Sequence, residues 1–131
     1  MGEVKFLLDT CTLLWWWSEP EKLSSKVLAL LRDPRNLVYI SAASAWEVAT
    51  KNRIGKLPEG SRLLNEWAHR LGVDGFKDLA ITSAHAARAG MLPGDYRDPF
   101  DRMLAAQSLL EDLPVLTCDP QIAGLGAETR W

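Results

Sequence analysis

Short apolar runs alternate with longer amphipathic stretches along this chain, and the alternation predicts strands interleaved with helices. Val4-Lys5-Phe6-Leu7-Leu8 predicts a buried first strand that stops at Asp9. Leu37-Val38-Tyr39-Ile40 predicts a second, Lys77 to Ala80 a short third, and Pro114-Val115-Leu116-Thr117 a fourth that stops at Asp119-Pro120. The tail adds a small edge strand near Ala127 to Thr129. Between these lie helices. Ser24 or Ser25 caps one that runs to about Arg32. Ser41 or Ser44 caps the next, through Trp46, Glu47, Val48 and Lys51 to about Ile54, where Gly55 stops it. Leu63 to Leu71 is helical with Gly72 behind it, and Thr82 or Ser83 opens a helix that ends near Gly90. Asp98-Pro99 opens a long helix to about Glu111, with proline at the first position, where its missing N–H costs little. Asp33-Pro34-Arg35-Asn36 and Pro93-Gly94 read as turns.

This order argues for an α/β fold, a three-layer sandwich around a central, mostly parallel sheet of about five strands. In such folds ligands sit beyond the carboxyl ends of the strands, where the strand order reverses. Asp9, Ser41 and Asp119 each come directly after a buried apolar run, so they converge on one edge of the sheet if those strands are parallel neighbours.

The length of 131 residues, of which 47% are hydrophobic, fits a single domain over 1–131 with a real core. Met1-Gly2-Glu3-Val4-Lys5 is no export signal, and Leu13-Leu14-Trp15-Trp16-Trp17 is far too short to span a bilayer. Both predict a cytoplasmic protein with no membrane association. Cys11 and Cys118 form no CxxC pair, which excludes a zinc ribbon, and they read as small, semi-buried thiols. The net charge of −2 excludes nucleic-acid binding by bulk charge. Any such activity needs local basic patches, or metal ions that reverse the sign of an acidic site.

Four acids stand where solvation explains them poorly: Asp9 and Asp119 at strand ends, Glu47 inside apolar Ala45-Trp46-Glu47-Val48-Ala49, and Asp101 in the first turn of the long helix. A carboxylate cluster repels itself, and a hard cation relieves the repulsion. Mg²⁺ or Mn²⁺ there would draw a hydroxide nucleophile from water and neutralise phosphate oxygens, with no histidine, cysteine or serine nucleophile required. Singly, each acid has a plainer explanation. Asp9 caps the segment after it, Glu47 pairs with Lys51 at i, i+4, Asp98 is an N-cap, Asp101 sits favourably in a helix dipole, and Asp119-Pro120 opens a turn. The pattern of four is what points to chemistry.

With these residues in hand, the chain resembles a PIN domain, and more narrowly the toxin half of VapBC toxin–antitoxin modules. Phe6-Leu7-Leu8-Asp9-Thr10 is similar to the family's first-strand aspartate motif. The stretch from Ser41 to Val48 resembles its serine-rich approach to the glutamate helix, and Lys51-Asn52-Arg53-Ile54-Gly55-Lys56-Leu57 a basic continuation found in one branch. The stretch from Asp98 to Gln107 is the most specific match, and Leu116-Thr117-Cys118-Asp119 resembles the final aspartate motif. The resemblance covers nearly the whole chain. It implies a Mg²⁺- or Mn²⁺-dependent endoribonuclease, toxic through RNA cleavage, with a cognate antitoxin. It also implies a homodimer that becomes a heterotetramer or larger with the antitoxin. Asp9, Glu47, Asp101 and Asp119 become the catalytic and metal-site acids. Asp98 matches a further acid, as ligand or cap. Thr10 and Thr117 would orient a carboxylate or water beside them, with Ser41 in support. Cys11 and Cys118 flank the site where other members vary.

RNA still needs positive charge. Lys51, Arg53, Lys56 and Arg102 are the candidates for flanking phosphates, against a plain reading as solvated helix charge. His69 and His85 read as surface or capping residues. Three consecutive tryptophans cannot all face one core from a helix, so at least one reaches a groove or seam, for an antitoxin helix or, as the alternative, for base stacking. Trp46 and Trp67 read as core.

Two other classes compete. A phospho-receiver signalling domain is also a small α/β sandwich with acids at strand ends. It would carry a lysine after the last core strand and an acidic pair after the first, and this chain has neither. A catalytically silent PIN binding module would lack acids that are all present here. A DNA-directed nuclease is a variant of the leading reading, because the acids do not read the 2′-hydroxyl.

Overall fold

The computed structural model describes residues 4–131. Met1 to Glu3, part of the amino-terminal stretch read against an export signal, lie outside the described residues. Five strands form one sheet: β1 Lys5–Leu8, β2 Leu37–Ser41, β3 Lys77–Leu79, β4 Val115–Leu116 and β5 Thr129–Arg130. Their order is β3-β2-β1-β4-β5, and every pairing is parallel. The chain builds outward from β1 on one side, then crosses over to β4 on the other. The reversal of direction therefore falls between β1 and β4, the strands that lead into Asp9 and Asp119. A receiver-type fold would instead take the flavodoxin-like order 2-1-3-4-5. The observed order excludes that alternative.

Among the described residues eight α-helices, with a 3-10 turn at Pro20–Lys22, connect and cover the strands: α1 Thr10–Ser18, α2 Ser25–Arg32, α3 Ala42–Arg53, α4 Gly60–Asn65, α5 Trp67–Asp74, α6 Ser83–Met91, α7 Pro99–Glu111 and α8 Pro120–Gly124. Side chains alternate across the sheet with period two. Phe6 and Leu8 join a core with Leu13, Val27, Leu31, Ile40, Leu71 and Leu116. Leu7 joins the other, with Ala43, Leu104, Ala106, Val115 and Ile122. Burial on both faces explains why β1 reads as a continuous apolar run.

Several elements differ from the sequence-based expectation. The helix expected over Leu63 to Leu71 is two helices, α4 and α5, broken at Glu66. The second runs through Gly72 and stops at Gly75, whose φ of 71° is the left-handed cap. Asp119-Pro120 opens the short helix α8 as well as turning the chain, and the last strand lies at Thr129–Arg130 rather than Ala127 to Thr129. Trp46 is not core. It is 50% exposed and meets Phe100 edge to face, with centroids 4.6 Å apart. Cys11 and Cys118 are exposed rather than semi-buried. His85 is buried and closes a capping box with Thr82, within the expected range of roles. The three tryptophans divide their contacts among Trp131, Phe76 and Trp67, all beside one core.

Candidate metal centre

Parallel strands deliver the chain to one edge, and the helices after them begin there. Six helices open with a polar side chain taking up a free backbone N–H: Asp9 for α1, Ser24 for α2, Ser41 for α3, Thr82 for α6, Asp98 for α7 and Asp119 for α8. Asp9 Oδ1 accepts from Thr12 N at 2.8 Å, Asp98 Oδ1 from Phe100 N at 2.9 Å, and Asp119 Oδ1 from Gln121 N at 2.9 Å. Capping explains locally why acids stand at these turns, and it fixes them at the edge where β1 and β4 diverge.

Five carboxylates, those of Asp9, Glu47, Asp98, Asp101 and Asp119, line one cavity of about 200 Å³, together with Thr10, Cys11, Trp15, Lys51, Tyr96 and Cys118. Thr117 bridges two of the acids: its Oγ1 donates to Asp9 Oδ2 at 2.5 Å and accepts from Asp119 N at 2.9 Å. Glu47 is buried on α3 and pairs with Lys51 Nζ at 2.5 Å, one turn further on. Tyr96 Oη donates to Asp101 Oδ2 at 2.6 Å.

The acids feel one another. Burial pushes Asp9 above the usual carboxylate range, and the Thr117 and Thr12 hydrogen bonds oppose it. Asp101 is pushed up to about 6 by burial and by the charges of Asp98, Asp119 and Glu47, against the Tyr96 hydrogen bond. Cys11 keeps solvent access, yet the protein packed around its sulfur desolvates the thiolate and, with the charges of Asp9 and Glu47, lifts the thiol to about 11. Burial pulls the Lys51 ammonium down, but its bond to Glu47 holds it above its ordinary value.

A cavity walled by carboxylate oxygens with Lys51 as the lining cation has the donor chemistry that hard divalent cations take. Among the described residues, no three acidic, histidine or cysteine side chains already close on one point. The acids ring a space that an ion would draw together.

Other candidates fall elsewhere. Ser41 is fully buried as a cap under α3 and does not line the cavity. Thr10 lines it, but its hydroxyl donates to Ser44 Oγ at 2.9 Å rather than to a carboxylate. Arg53 and Lys56 are exposed beyond Lys51 and outside the cavity wall. Arg102 turns away: its guanidinium donates to the carbonyls of Ala89, Tyr96, Gly90 and Leu92. That geometry makes it a clamp on the loop before α7 and argues against a role in holding phosphate. Sequence reasoning does not single out Tyr96 or Ser44 as site residues, whereas of the three tryptophans from which one is expected to reach a groove, Trp15 lines the cavity. Tyr96 lies in an irregular segment, where no periodicity marks which face a side chain takes.

The profile of the PIN domain family matches residues 6–127. The chain is similar to Ribonuclease VapC16 of Mycobacterium tuberculosis, at 39% identity over 59 residues, which is 45% of this chain and 42% of that protein's length. Among solved structures, VapBC2 from Rickettsia felis bound to a DNA fragment from their promoter superposes with a TM-score of 0.71, at 13% identity over 97% of this chain and 98% of that one. VapBC-1 from nontypeable Haemophilus influenzae gives 0.67 at 13% identity, covering 97% of each chain. FitAcB from Neisseria gonorrhoeae gives 0.62 at 21% identity, covering 95% of each chain. At these identities the solved structures establish a shared fold.

Proposed function

The chain belongs to the PIN domain family, and on that premise we propose that it is a metal-dependent endoribonuclease of the VapC toxin kind, one PIN domain over its 131 residues. The observation that carries this reading is the ring of five carboxylates at the β1/β4 divergence. Asp9, Glu47, Asp101 and Asp119 would hold Mg²⁺ or Mn²⁺. Asp98 spends Oδ1 on the cap and faces the same cavity. A cation held by these acids would supply an acidified water as nucleophile and neutralise charge on phosphate oxygens. Thr117 fixes Asp9 relative to the Asp119 turn, so the two strand ends act as one unit. Lys51, already at the cavity, takes a phosphate of the RNA, and exposed Arg53 and Lys56 take its neighbours.

The similarity to Ribonuclease VapC16 supports RNA as substrate, and the VapBC names of the solved neighbours support a cognate antitoxin as partner. A homodimer, joined by antitoxin into a heterotetramer or larger, is the assembly proposed; half-exposed Trp46 and Met91, which is 82% exposed, are apolar side chains available to a partner. Among the described residues no helix is long and apolar enough to cross a membrane, and the cytoplasm is the proposed site of action.

The test is cleavage of a labelled structured RNA in Mg²⁺ or Mn²⁺ by protein freed of co-purified partner. Cleavage leaving 5′-phosphate and 3′-hydroxyl ends, abolished by EDTA and by Asp9→Asn, is the expected result. No cleavage of any RNA or DNA offered would favour a silent binding module. Activity that survives Asp9→Asn would put the site elsewhere.

A further inference from the structure

Arg102 and Asp101 are neighbours on the first turn of α7, and both engage the loop before it. The Arg102 guanidinium donates to Ala89 O at 3.0 Å, Tyr96 O at 2.9 Å, Leu92 O at 2.5 Å and Gly90 O at 3.4 Å. All four acceptors are main-chain carbonyls, so the clamp holds the path from the end of α6 to Tyr96 whatever side chain Tyr96 carries. The Tyr96 ring packs on the core under α7. Its hydroxyl is therefore not needed to shape the loop. What the hydroxyl does is donate to Asp101 Oδ2, at 2.6 Å, on the wall of the carboxylate cavity.

We propose that Tyr96 is a positioning residue for the metal centre. Its phenol fixes the rotation of the Asp101 carboxylate by engaging Oδ2, and so leaves Oδ1 to the cation. The inference rests on the metal-site reading above. A ligating carboxylate free to rotate must be ordered when the ion binds, and an outer partner that orders it beforehand raises affinity. Among the described residues the phenol is the hydrogen-bond donor to the Asp101 carboxylate, and without it Asp101 faces only the like charges of Asp98, Asp119 and Glu47. Asp101 and Arg102 thus make a two-residue device: one residue meets the ion, and the next builds the loop that steadies it.

The test is Mn²⁺ binding to the full chain by calorimetry, and by electron paramagnetic resonance of free Mn²⁺, for wild type, Tyr96→Phe and Asp9→Asn. Phenylalanine keeps the ring and the clamp and removes one oxygen. The expected result is Mn²⁺ affinity about tenfold or more weaker in Tyr96→Phe. Its thermal midpoint in EDTA should match wild type, and raised Mn²⁺ should rescue kcat with KM for RNA little changed. A residue that only shaped the loop would move the midpoint and not the affinity. Equal Mn²⁺ affinity in Tyr96→Phe and wild type overturns the inference and leaves the metal site standing. A wild-type protein that binds no Mn²⁺, or binds it as well after Asp9→Asn, overturns the metal-site reading and this inference with it.

Discussion

Asp101 sits half-buried against three other carboxylates, with a proton affinity raised to about 6 from an ordinary 3.8. Linkage sets the sign of the effect on stability. A carboxyl group that holds its proton more tightly folded than unfolded favours the folded state at low pH, and that contribution fades as pH rises through the folded value. Metal-free protein should therefore lose thermal stability between about pH 4 and pH 7, and Asp101→Asn should flatten the decline, as a pH series of melting curves in EDTA would show. The same proton competes with a cation. Mn²⁺ affinity should rise with pH through 6, and calorimetry in buffers of different ionisation enthalpy should detect proton release. A pH-independent affinity would mean that Asp101 does not meet the ion. The acids are legible in the sequence because three of them end apolar runs or open a helix. Thr117 is legible as a hydroxyl beside Asp119, but its reach across to Asp9 on another strand is not, nor is the turn of Tyr96 onto Asp101 from an irregular segment.

At the scale of elements, α3 and α4 meet closely. Asn52 Nδ2 donates to Leu57 O and Pro58 O, and Gly60 comes so close that a Cβ there would stand 2.8 Å from Asn52 Cβ. Gly60→Ala should therefore cost about 1–3 kcal/mol by chemical denaturation. It should also loosen the anchor of the helix that carries Glu47 and Lys51. A neutral result would mean that α4 can slide without disturbing α3. The strands and most helix starts are readable because their signals are local: apolar runs, caps and proline at the first helical turn. The break at Glu66 is not readable. Leu63, Leu64, Trp67 and Leu71 carry one helical periodicity, and the division reflects packing, with Leu63 buried on α4, which meets α3, and Leu71 in the core with Phe6 and Leu8. Trp46 misleads for the same reason. An apolar residue on a helix signals a buried face only when a neighbouring element covers it.

For the whole molecule, the acidic edge is a store of unfavourable charge that a bound cation would relieve. An ion that binds only the folded state stabilises it by mass action, by about 2.7 kcal/mol at a hundredfold excess over Kd. Saturating Mn²⁺ should raise the melting temperature of wild type and leave Asp9→Asn unmoved, and equal shifts in both would mean weak surface binding. The overall architecture is legible because strand–helix alternation leaves few alternatives to a parallel sheet. The order of the strands is not, because long-range pairing leaves no local mark on the chain. At the two rims of that sheet, β3 offers Lys77, Asp78 and Leu79, and β5 offers Thr129 and Arg130. Outer strands this short and this charged are poor templates for another chain's backbone. Association with a partner therefore falls to the helical faces, where side chains rather than peptide groups do the recognising. Such recognition is specific to sequence and can be lost to a single substitution, so a partner recognised this way would be matched to the chain residue by residue.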